Sequence, residues 1–215
     1  MANILAIESS GNTGGAAVLR EGQIVGEASL PTPRSHGEHL VPSFAQALEA
    51  AGLSFPELDG IALNVGAGSY TGLRVGLAAA EMLALVHNKP ILPVPCTNAL
   101  CEAAIRQGVA AGLLLPALDA RRDYLVGAAF RWDGQTLARE SDDELMLPEH
   151  FFAQGGVVIG DAAQIYAETL GPSQAFDGRW ELEAADVGLA ALRLYRSAMD
   201  ASALAQNPTR RVELN

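Results

Sequence analysis

Basic side chains are scarce in this sequence. Only 14 lysines and arginines stand against 25 aspartates and glutamates, a formal net charge of −11 over 215 residues. Gripping RNA or DNA unaided needs a basic stripe that displaces counterions from the phosphates. The basic pairs here are Arg121-Arg122 in mid-chain and Arg210-Arg211 near the end, so a chain this acidic is a poor candidate to grip RNA or DNA alone. Cysteine is almost missing: Cys96 and Cys101 are the two present, which excludes a disulfide scaffold and fits a reduced, cytoplasmic setting. No stretch reaches the roughly 18 to 20 apolar residues of a membrane span. The opening "MANILAIESS" has no basic segment and enters a strand at once, so no signal peptide is expected.

Three familiar phosphate or nucleophile motifs are also absent. "NVGAGSYTGLRVG" (64–76) carries four glycines between an apolar strand pattern and a long helical one. A P-loop would need lysine, and the nearest is Lys89. A dinucleotide fingerprint would need glycine at position 71, which is Thr71, and an acidic residue downstream where "HNKPILPVP" has none. A nucleophile elbow would need glycine two before Ser69, which is preceded there by Ala67. Glycine for close helix packing is the use that survives. Gly68, Ser69, Tyr70, Thr71 and Gly72, at a helix start, form a candidate anion site only through their amides.

What the chain does contain is a repeated pattern. "NILAI", "GAAVLR" and "QIVGEASL" read as three strands around turns at "ESSGNTG" and Glu21-Gly22. "LLLPAL", "YLVGAAF" and "QTLARES" read the same way around Asp119–Asp123 and Asp133-Gly134. The acids closing the two first strands, Glu8 and Asp119, lie 111 positions apart. The pattern predicts two similar α/β units. Between the meanders, helices are predicted over 38–51, stopped by Gly52, and over 70–87, with strands at "GIALNV" and "ILPV". Beyond the second meander come the irregular acidic stretch "SDDELMLPEH", a strand at "GVVIGD", and a final helix with Val187, Ala190, Ala191, Leu194 and Met199 as its apolar stripe.

The helix over 70–87 is apolar or small nearly all round, with Arg74 and Glu81 its only charged residues before His87. Covering its own sheet needs an apolar face of about 100°, so a second face is left for the neighbouring helix or a partner chain. In the absence of a partner the same face predicts a homodimer or partial aggregation. Other chemistry is thin. His36 and His39 supply two ligands where a metal needs three or four. Glu8 could take magnesium at its strand end, but one carboxylate is not a site. No acid–base pair or Ser/His/Asp set is present.

The segments "ILAIESS…GAAVL", "RSHGEHLVP", "GAGSYTGLRVGLAAAEMLAL" and "LDARRDYLVGAAF" resemble, in order and spacing, the bacterial TsaB (YeaZ) family of tRNA threonylcarbamoyladenosine biosynthesis. The chain differs from the family's usual loop at Ala67 and Tyr70, carries Glu8 where aspartate is usual, and ends in "NPTRRVELN" in place of the family's terminal motif. The resemblance implies an actin-like, duplicated ribonuclease-H-like α/β fold of two small domains, 1–100 carrying the docking helices and 101–215. It implies a non-catalytic subunit without metal or cofactor of its own, a nucleotide being admissible only at the partner interface. It implies a TsaD-like transferase and a TsaE-like ATPase as partners, with tRNA reached only indirectly, through a basic surface the partner supplies. The docking residues expected on the two helices are Leu40, Phe44, Leu48, Tyr70, Leu73, Arg74, Leu77, Ala78, Glu81, Met82 and Leu85. The alternatives are an actin-like nucleotide phosphotransferase using Glu8 and the glycine loop, and a metallopeptidase-like enzyme, as an older family label has it.

Overall fold

In a computed structural model, which describes residues 2–31 and 36–200, the chain runs β1 (Asn3–Glu8), β2 (Gly15–Arg20), β3 (Gln23–Ser29), α1 (His36–Ala51), β4 (Gly60–Asn64), α2 (Tyr70–His87), β5 (Ile91–Val94) and α3 (Cys96–Arg106). There follow β6 (Gly112–Arg121), β7 (Tyr124–Gly127), β8 (Phe130–Trp132), β9 (Leu137–Arg139) and β10 (Glu144–Met146). The chain continues with α4 (Pro148–Phe152), β11 (Val157–Ile159), α5 (Ala162–Ile165), β12 (Gln174–Ala175) and α6 (Ala184–Asp200). Arg210-Arg211, the divergent tail, and the side chains of His36 and Met199 lie outside the described residues.

Two sheets repeat one plan. The first has the order β3-β2-β1-β4-β5 and the second β10-β7-β6-β11-β12. In each, an antiparallel pair (β1 with β2, β6 with β7) is joined to a parallel neighbour (β4, β11) on the other side of the first strand. A strand hydrogen-bonded on both sides and covered on its faces reads as a continuous apolar run. That is why "ILAI" is wholly buried: Ile4, Leu5, Ala6 and Ile7 are all 0% exposed.

The two compact units are residues 2–31, 36–99 and 182–200, and Leu100–Glu181. The expected boundary near 100 thus meets one difference. Residues beyond 181 return to the first unit, because α6 lays Val187, Ala190 and Ala191 against β1 and β2. Leu194, expected in that stripe, is exposed instead. Cys96 and Cys101 are both buried and free.

The second meander is more broken than its pattern predicts. "YLVGAAF" is not one strand: β7 pairs with β10 and the far half of β6, while β8 pairs with the near half of β6 and with β9. The break follows Gly127, over which the Phe151 ring sits so closely that a Cβ would lie 2.6 Å from Cζ. "SDDELMLPEH" is not irregular either; it holds β10 and the start of α4.

Local signals set the two helices that matter below. α1 stops at Gly52 (φ 64°), with Leu53 N–H closing onto the Leu48 carbonyl at 3.0 Å, the left-handed cap expected of glycine after a helix. α2 is capped at its start by Ser69, whose Oγ accepts from Gly72 N–H at 3.3 Å, and at its end by Asn88 (φ 50°) ahead of Pro90. Among the described residues no helix is long and apolar enough to cross a membrane.

Candidate docking site

The site is assembled where β1 and β4, adjacent and parallel, release their chains into two loops. Glu8 ends β1 and is fully buried. Its Oε1 accepts from Ser10 N–H and from Ser10 Oγ (2.7 Å), and its Oε2 accepts from Asn64 Nδ2 (2.7 Å). Burial pushes the Glu8 carboxyl above its ordinary value, and the bonds from Asn64 and Ser10 pull against that rise. With both oxygens engaged and no exposed surface, Glu8 ties the loops after β1 and β4 together.

The tie reaches α2 directly. Asn64 Oδ1 accepts from Gly66 N–H at 3.0 Å, Ser10 carbonyl accepts from Ser69 N–H at 2.8 Å, and Ser9 Oγ donates to the Gly72 carbonyl at 2.9 Å. The first turns of α2 rest on the loop after β1 with no room for a side chain between them. A Cβ on Gly72 would lie 1.9 Å from the Ser9 carbonyl oxygen, and one on Gly76 2.2 Å from Ser9 Oγ. On Gly68 it would lie 2.6 Å from Ser10 Cβ. The glycines therefore serve close approach of backbone to backbone. Of the candidate anion residues, Ser69 and Gly72 already spend their amides inside the fold, while Tyr70 and Thr71 are exposed.

Seated this way, α2 shows two faces. Leu73, Gly76, Ala79, Ala80, Leu83 and Ala84 turn inward, with Ala79, Ala80, Leu83 and Ala84 in the core formed with β1, β4 and α1. Tyr70, Arg74, Ala78, Glu81, Met82 and Leu85 turn outward, and Leu85 is 82% exposed. The Arg74 guanidinium stands 5.6 Å from the Tyr70 ring centroid, so the outer face opens with a paired aromatic and cation.

Four of the expected docking residues belong elsewhere. Leu40 and Phe44 are 0% exposed and Leu48 3%. The single apolar stripe of α1 is used up against β2 and β3, and these side chains fill the core of their own unit. Leu73 is likewise buried, and Leu77 is half-buried against that core. Two exposed apolar residues were not expected: Val86, beside Leu85, and Val41 on α1. Val86 was within reach of sequence reasoning, since it is four residues beyond Met82 on one helix. Among the described residues no cluster of three or more His, Cys, Asp or Glu is placed to hold a metal.

The chain is similar over 144 residues to the tRNA threonylcarbamoyladenosine biosynthesis protein TsaB of Escherichia coli, at 28% identity, across 67% of this chain and 62% of that protein. Its fold superposes on YeaZ from Pseudomonas aeruginosa with a TM-score of 0.77 at 25% identity, covering 92% of this chain and 94% of that one. A family model described as TsaD, tRNA N6-adenosine threonylcarbamoyltransferase, matches residues 30–195. The chain belongs to this family, with the TsaB (YeaZ) proteins among its relatives. A looser likeness to the ROK hexokinase of Thermus thermophilus, with a TM-score of 0.51 at 16% identity over 92% of this chain and 99% of that one, extends the fold to the actin-like class. The two duplicated sheets are that fold. The matched segment spans about three fifths of the curated TsaB relatives' length, 62% and 60% for the first two.

Proposed function

We propose that this chain is a non-catalytic subunit of the machinery that makes N6-threonylcarbamoyladenosine in tRNA, and that the outer face of α2 docks it to a TsaD-like transferase. The observation that carries the reading is the unpartnered apolar face: Tyr70, Met82, Leu85 and Val86 exposed on one helix of a family member. Large aromatic, aliphatic and arginine side chains in one patch are the composition of an interface centre. The glycine-rich seat supports it, because a helix pinned by its first turns presents that patch without a cost in ordering.

The chemistry of the reaction belongs to the partner in this reading. The buried Glu8 carboxylate beside the glycine loop is sealed by Ser10 and Asn64, which suits it to holding the loops together. A TsaE-like ATPase joins the assembly, a nucleotide enters only at the partner interface, and the site of action is the cytoplasm. Without the partner, the α2 face pairs with its copy in a homodimer.

The test replaces exposed residues, since arginine at a buried position such as Leu83 would disturb the core. Leu85→Arg and Ala78→Arg are expected to fold normally and to lose a purified TsaD-type partner on co-purification. Retention of the partner by both variants would remove the docking face. Isothermal titration with magnesium and ATP separates the phosphotransferase alternative: tight one-to-one binding by the chain alone would favour it.

A further inference from the structure

The turn between β6 and β7 carries a motif that docking through α2 leaves unused. Among the basic side chains described, Arg20, Arg74, Lys89, Arg131 and Arg139 each bind a neighbour, and Arg106, Arg179 and Arg193 are engaged as well. Among the described residues the guanidinium groups of Arg121 and Arg122 have no such partner, and both residues are exposed.

Their backbone is as unusual as their isolation. Arg121, Arg122 and Asp123 stand in the left-handed region, at φ 67°, 55° and 63°. Side chains other than asparagine, aspartate and glycine avoid that region. The β2–β3 hairpin makes its reversal with Glu21 and Gly22 (φ 54° and 82°), giving the second position to glycine. The arginine turn is instead held by braces: Asp119 Oδ1 accepts from Arg121 N–H (3.0 Å) and from Tyr166 OH (2.7 Å), and Tyr166 OH also reaches the Tyr124 carbonyl (3.3 Å). Backbone strain kept in place by surrounding bonds points to a functional turn. Beside it, Tyr124 is 41% exposed.

We propose that Arg121 and Arg122 grip the phosphodiester backbone of an RNA strand, with the Tyr124 ring stacking on an unpaired base. The proposal rests on the tRNA-modification reading above and adds a direct contact to it. A guanidinium fork matches phosphate oxygens bidentately, and an exposed aromatic beside a basic groove is a stacking platform for single-stranded nucleic acid. Asp123 at the turn and Asp119 and Asp161 behind it keep the field from spreading, as does the charge of −11. The contact is therefore local, about two phosphates, and depends on a partner to supply the rest of the grip.

The test uses the full chain assembled with a TsaD-type partner and a tRNA transcript, with affinity measured across a range of salt. The double variant Arg121→Ala, Arg122→Ala should bind roughly tenfold more weakly near physiological salt, and the slope of log affinity against log salt should become shallower by about 1.4 to 1.8. A second variant, Arg122→Asn with Asp123→Gly, places preferred residues in the turn; its melting temperature should rise while RNA affinity falls. Partner retention is measured on the same samples. Wild-type RNA affinity and salt slope in both variants, with the partner retained, would overturn this inference and leave docking untouched. Loss of the partner with RNA affinity unchanged would make the turn a protein contact and also overturn it. The docking reading itself stands or falls on Leu85→Arg.

Discussion

Glu8 and Asp119 close equivalent strands in the two halves, and each carboxylate accepts the backbone amide two residues on, Glu8 from Ser10 and Asp119 from Arg121. One geometry has been put to two uses. In the first half the loop is long and folds under α2, so the carboxylate is sealed and positions a helix. In the second half the loop is a tight turn, so the carboxylate stands nearer the surface and braces the turn that carries Arg121 and Arg122.

The sealed acid makes stability depend on pH. Burial raises the Glu8 carboxyl above its value of 4.5 in an exposed chain, so the folded state binds the extra proton more readily than the unfolded state. Its contribution is fully present below pH 4.5 and is lost as pH rises through the raised value. Urea denaturation of the wild type and Glu8→Gln at several pH values checks this. The wild type should gain on the variant as pH falls, and a gap moving the other way would contradict the assignment.

The seat of α2 predicts different outcomes for two glycines. Gly72→Ala sets a Cβ against a backbone carbonyl and should cost about 1–3 kcal/mol or more by overpacking. Gly76→Ala meets the Ser9 hydroxyl instead. Adding Ser9→Ala should rescue Gly76→Ala and leave Gly72→Ala unrescued in chemical denaturation, and equal rescue of both would show the helix is not seated as described.

Core and surface residues of the two helices should separate cleanly. Phe44→Ala empties a fully buried position and should cost about 3–5 kcal/mol. Leu85→Ala, on the exposed face, should change stability by less than about 0.5 kcal/mol while weakening partner binding. Paired unfolding and binding measurements test the division.

The Tyr166 phenol is raised to about 12, first by its hydrogen bond to Asp119. A raised phenol stabilises the fold below about pH 10 and loses that contribution as pH climbs through about 12. Titration of phenolate absorbance should show one late tyrosine that moves down in Asp119→Asn. A Tyr166 midpoint unmoved by that substitution would sink the assignment.

The sequence made the duplicated meanders, the extents of α1 and α2, and the packing role of the glycines legible, because each rests on local pattern: alternation, caps and small residues. Which apolar residues face out was less legible. Leu40, Phe44 and Leu48 form as good a stripe as any docking helix would, and only the presence of β2 and β3 beneath α1 shows that the stripe is spent. The return of α6 to the first unit and the break after Gly127 depend on contacts distant in sequence, with β1 and with Phe151, which no window along the chain contains.

A photo-crosslinking residue placed at position 85 tests the central claim most directly. With a purified TsaD-type partner it should cross-link efficiently, while the same residue at exposed Glu149 on α4 should not. Equal capture from both positions, or capture from 149 alone, would contradict docking through the outer face of α2.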